Sequence, residues 1–70
     1  MTTYLIFKTN VTTYKEAVFL KRSIDELLPE HTEWNFDLED IDKILRIPAL
    51  VSSSDIIKTL NNSGYFCAEL

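Results

Sequence analysis

Few side chains in this sequence of 70 residues can do chemistry, and their spacing decides which chemistry that is. The densest set lies in the run Thr9-Asn10-Val11-Thr12-Thr13-Tyr14-Lys15-Glu16. Thr13 and Glu16 stand at capping-box spacing ahead of an apolar periodic stretch. In that motif the hydroxyl accepts from the Glu16 backbone N–H, and the carboxylate reaches back to that of Thr13. The same loop has a second use, because free N–H groups at a helix start, with Lys15 beside them, suit an anion. A closed helix start and a binding loop are both compatible with these residues.

The remaining candidates are sparser. His31 and Cys67 are the single histidine and the single cysteine. Two ligands far apart in sequence do not form a metal motif. Cys67 therefore reads as a free thiol packed in the core, and His31, just after Pro29-Glu30, as a solvated loop residue. Asp37, Glu39, Asp40 and Asp42 invite a calcium reading, yet the glycine and terminal glutamate of an EF-hand loop are missing. They read as a solvated hairpin. A nucleophile–base–orienter set would need His31, and no Ser or Thr is placed beside it by the sequence. The only glycine is Gly64, so there is no glycine-rich phosphate loop. The expectation is a non-enzyme without a cofactor.

The elements that position these residues follow from the apolar spacing. Residues 3–9 are rich in β-branched and aromatic types and read as a strand. With Leu5 and Phe7 inward, Tyr4, Ile6 and Lys8 face the other way. Ala17, Leu20, Ile24, Leu27 and Leu28 recur at helical spacing, predicting a helix from Thr13 that Pro29 stops. From Thr32 the period becomes two, with Trp34, Phe36 and Leu38 alternating with polar residues in a half-buried strand. Lys43 to Ile47 form the next strand, ended by Pro48. Ser52-Ser53-Ser54 offer N-caps for a second helix carrying Ile56, Ile57 and Leu60. Gly64 suits its left-handed C′ position, and Tyr65 to Glu69 are the closing strand. The order β-α-β-β-α-β predicts a ferredoxin-like α+β domain over residues 1–70, with a four-stranded antiparallel sheet and both helices on one face.

Composition sets the outer bounds. Hydrophobic residues make up 46%, with one Gly and two Pro, which favours a folded chain over a disordered one. One cysteine cannot form an internal disulfide, and no segment reads as a secretory signal or as the roughly 20 apolar residues that span a bilayer. A soluble cytoplasmic protein without membrane contact is expected. The net charge is −4, and residues 23–42 hold eight carboxylates and no Lys or Arg. Nucleic acid is a poor partner for such a chain, because affinity there comes largely from neutralising phosphates.

Taken in order, several pieces of the chain carry a resemblance. They are the strand leading into Thr9-Asn10-Val11, the strand Trp34-Asn35-Phe36-Asp37-Leu38, the stretch Asp42-Lys43-Ile44-Leu45, and the ending Gly64-Tyr65. Over nearly its full length the pattern resembles the heavy-metal-associated domain of copper chaperones and copper-transporting ATPases. That family carries M-x-C-x-x-C at the strand-to-helix junction, where the two cysteine positions here read Thr13 and Glu16 and the methionine corresponds to Val11. Soft Cu(I) requires soft ligands, and a hydroxyl and a carboxylate are hard donors. The resemblance therefore implies the fold with metal binding lost at the loop of Val11, Thr12, Thr13, Tyr14, Lys15 and Glu16. It also places an aromatic, Tyr65, close to that loop.

What replaces metal binding is expected to be protein contact, with a partner or with a second copy. The open sheet face would present Tyr4 and Ile6, together with either Ile44 and Arg46 or Leu45 and Ile47. Phe19 lies about 130° around the first helix from its core stripe, at ~100° per residue, and is a further candidate contact. The acidic stretch would steer a basic partner. The alternative is a small-ligand or metal sensor that uses the residue 11–16 loop with non-cysteine ligands.

Overall fold

The computed structural model describes residues 3–70. Six elements follow in the order β1 (Tyr4–Thr9), α1 (Tyr14–Leu27), β2 (Asn35–Asp37), β3 (Ile44–Pro48), α2 (Ser53–Asn62) and β4 (Cys67–Glu69). The strands form one sheet in the order β2-β3-β1-β4, and every neighbouring pair is antiparallel. This is the ferredoxin-like α+β arrangement that the periodicities predict.

The register settles which face of β3 is which. Leu5 pairs with Ile47 and Phe7 with Leu45, while Ile6 pairs with Arg46 and Lys8 with Ile44. Residues directly opposite in an antiparallel pair point to the same side. Phe7, Leu45 and Ile47 therefore meet the helices, and all three are fully buried with Leu20, Ile24, Ile56 and Leu60. Burying each such side chain stabilises the fold by roughly 1.5–3 kcal/mol relative to exposure. The outer face takes Tyr4, Ile6, Lys8, Ile44 and Arg46.

Helix α1 buries Ala17, Leu20 and Ile24 and ends where Leu28 adopts an extended backbone (φ −107°, ψ 152°). Leu28 precedes Pro29, whose ring excludes the α conformation at that residue. Three strands are shorter or shifted relative to the alternation, each for a local reason. Ahead of β2, the Trp34 indole Nε1 donates to Asp25 Oδ1 at 2.6 Å, which ties that residue to α1 rather than to the sheet. Lys43 has φ 50° and cannot be a strand residue, so β3 starts at Ile44. Tyr65 and Phe66 spend their backbone N–H groups on the Leu60 carbonyl and on Asn10 Oδ1, so β4 begins at Cys67.

Helix α2 is capped at both ends. The Ser52 hydroxyl accepts from the Asp55 backbone N–H at 3.2 Å. At the other end the Gly64 N–H donates to the Asn61 carbonyl and the Tyr65 N–H to the Leu60 carbonyl, the Schellman pair of bonds. Gly64 has φ 93°. A Cβ built there would meet nothing within 4 Å, so any cost of a side chain is conformational alone. Gly64→Ala is expected to lower stability by about 1–2 kcal/mol, the cost of a Cβ in the left-handed region, with an unchanged urea m-value.

Candidate functional site

The junction between β1 and α1 is built on Thr9, the one buried polar residue among those described. Its hydroxyl donates to the Lys43 carbonyl at 2.7 Å and accepts from the Val11 backbone N–H at 3.2 Å. Its own N–H donates to the Asp42 carbonyl. These bonds turn the chain inward so that Val11 is fully buried. The loop then emerges at Thr12 and Thr13, both exposed.

Thr13 is the N-cap of α1, and its hydroxyl accepts from the Glu16 N–H at 3.2 Å. The other half of the expected box is redirected. Glu16 Oε1 accepts from the Thr12 hydroxyl at 3.0 Å and the Thr13 hydroxyl at 3.1 Å, and the backbone N–H that it reaches is that of Thr12, at 3.4 Å. Hydrogen bonding from the Tyr65 phenol, and then from Thr12 and Thr13, holds the Glu16 carboxyl below its ordinary 4.5. The same contact raises the Tyr65 phenol above its ordinary 10.0. Asn10 completes the closure by accepting from the Phe66 N–H at 2.9 Å. Loop, helix start and β4 lead-in are thus joined through two side chains, Asn10 and Glu16. Lys15 and Tyr14 point outward, both exposed.

This arrangement presents a carboxylate already surrounded by neutral donors and hydroxyls already engaged. As a ligand set it offers hard oxygen only, next to a tyrosine. The thiol of Cys67 is buried, and loss of hydration pushes it up to about 11. Among the described residues no group of three or more His, Cys, Asp or Glu side chains is placed to hold a metal ion.

The other candidates are scattered. Asp37 Oδ1 accepts from the Glu39 and Asp40 N–H groups, and Asp40 Oδ1 accepts from the Asp42 N–H, so these carboxylates cap their own turn. Asp42 also pairs with Lys8 at 3.6 Å. His31 is exposed in the left-handed region, with φ 63°. Of the outer-face candidates, Tyr4 is 47% exposed, whereas Ile44 is only 6% exposed and adds little accessible surface. Phe19 is 67% exposed. Thr9 and Asn10 belong to the run singled out in the sequence, but without a role of their own there. The signal was present in a Thr-Asn pair at a strand end, since both types bond to nearby backbone groups in preference to extending a ladder.

No protein-family model, curated protein or solved structure matches this chain. None of the helices among the described residues is long and apolar enough to cross a membrane.

Two measurements check the site. Thr13→Ala should cost about 1 kcal/mol of stability, the usual loss for an N-cap hydroxyl. Because the Glu16 carboxyl is lowered on folding, its contribution is complete above the unfolded pKa near 4.5 and is lost as pH falls through the folded value. The stability gap between wild type and Glu16→Gln, followed by urea unfolding, should therefore be widest near neutrality and close in acid. Separately, Cys67 should resist alkylation in the native protein and react at once in guanidinium, because both burial and its raised pKa suppress the thiolate.

Proposed function

We propose that this chain is a non-catalytic domain built like the heavy-metal-associated modules, with soft-metal binding lost and protein contact in its place. The observation that carries this reading is the occupancy of Glu16. At the two positions where the resemblance calls for thiolates, a hydroxyl and a carboxylate close the helix start on each other, and Tyr65 adds to the same closure. A metal-transfer loop has to open and exchange ligands, whereas this one is fastened. A loop that senses an anion or a hard cation would have to strip Glu16 of its donors first, which favours the interaction reading over the sensor. A reducing, cytoplasmic setting fits the single unpaired thiol.

Contact surfaces for such a domain are those not consumed by the fold: Tyr4 and Ile6 on the outer sheet face, Phe19 on α1, and the carboxylate-rich stretch 23–42. Nucleic acid is not expected to compete for them, given the net charge of −4. Isotope-labelled protein titrated with Cu(I), then Zn(II), under reducing conditions provides the test. Amide resonances should stay unshifted. Saturable shifts confined to residues 11–16 and Tyr65 would mean that the loop still binds metal, and the reading would be wrong.

A further inference from the structure

A cavity of about 700 Å³ borders the sheet on the β2 side. From α1 it is lined by Tyr14, Ala17, Val18 and Lys21, which lie on the helix side of the sheet. It is also lined by Tyr4 and Arg46, which lie on the outer face. The consecutive residues Trp34, Asn35 and Phe36 line it as well, although their side chains alternate between faces. A space that touches both faces and three successive residues, Trp34 just ahead of β2 and Asn35 and Phe36 within it, runs around the free edge of that strand. Among the described residues that strand has β3 as its only neighbour, so every second residue offers an unpaired N–H and C=O to the cavity.

The rim of this space is unusually apolar for a surface. Tyr14 is 60% and Val18 69% exposed. Trp34 packs edge-on against Phe36 with ring centroids 5.6 Å apart, and it is held by its bond to Asp25. Charge is distributed along the edge with a direction. Lys21 is neutralised by Asp25, which leaves Arg46 and Glu33 as the charged residues lining the space near the start of β2. At its end lies Asp37, and beyond it Glu39, Asp40 and Asp42, with only Lys8 paired to one of the four.

We propose that this edge is a peptide-docking groove, in which an extended segment of another protein adds antiparallel to β2. This rests on the interaction reading above and names the surface and the partner's chemistry. Backbone pairing supplies affinity, and alternate side chains of the guest lie over Val18 and Trp34 or toward Arg46. An antiparallel guest has its N-terminal end beside Asp37, so basic residues belong there and apolar β-formers follow. A second copy of this chain fits poorly. Pairing β2 with itself about Phe36 sets Glu33 opposite Glu39, and the other edge, β4, brings Glu69 without a cation. Like charges directly opposite destabilise a strand pair.

The test titrates labelled protein with a short peptide of two lysines followed by alternating valine and threonine. Two controls accompany it: the same peptide with glutamates for lysines, and one N-methylated at its central valines. Expected are saturable shifts over residues 33–38 with Ala17, Val18 and Lys21, absent with either control and weakened by salt. Val18→Asp, at an exposed position that leaves folding intact, should weaken binding about tenfold or more. An absence of saturable shifts overturns the proposal, as do shifts limited to residues 39–42 that survive N-methylation. A concentration-dependent dimer abolished by Val18→Asp would overturn it in favour of self-association. Shifts centred on Ile6 and Phe19 would sink the groove yet leave the interaction reading standing, whereas that reading falls only to the metal titration.

Discussion

One buried hydroxyl sets the geometry on which the rest depends. Thr9 sits in the core at the end of β1, where an unpaired hydroxyl would cost roughly 1–3 kcal/mol. It is paired twice over, as donor to the Lys43 carbonyl and acceptor from the Val11 N–H. The first bond fixes where the turn before β3 lies relative to β1. The second sends the chain down to bury Val11 and back up to Thr13. Each later feature of the junction, from the N-cap to the position of Glu16, inherits that path.

The polar closure around Glu16 is a surface counterpart of the same logic. Each of its hydrogen bonds is exposed and individually modest, yet they converge on one carboxylate from Thr12 and Thr13, and the Tyr65 phenol lowers that carboxyl further. Tyr65 arrives there because the Schellman turn at Gly64 redirects the chain after α2. Two helix ends distant in sequence therefore stabilise one another: the C-terminus of α2 aims the phenol that completes the N-terminus of α1. Changing the chemistry of this junction would require undoing contacts at both ends.

Much of this was legible in the sequence, and the reasons are physical. The core stripe of α1, its stop before Pro29, the N-cap at Thr13 and the glycine at C′ all rest on local rules that tertiary packing rarely overturns. Strand ends were less legible. Whether Phe66 continues a ladder depends on Asn10, which is remote in sequence and contributes through its side chain. The exposed side of β3 could not be read from its run of apolar residues, because only the register with β1 assigns Arg46 and Ile44 to the outer face. The redirected reach of Glu16 to Thr12 was hidden for a similar reason, since it depends on how Thr9 places the loop.

The pairing of β1 also bears on how the chain reaches this state. β1 is hydrogen-bonded on one side to β3 and on the other to β4, with Phe7 opposite Glu69 and the Leu70 N–H on the Ile6 carbonyl. β1 precedes β4 by nearly sixty residues, so its second edge is covered only by a segment made much later. Loops of that span must close before their contacts reward them. The β4 edge of this sheet therefore stays open until residues 67–70 are free to pair with β1, while the pairings of β3 with β1 and β2 need only earlier segments.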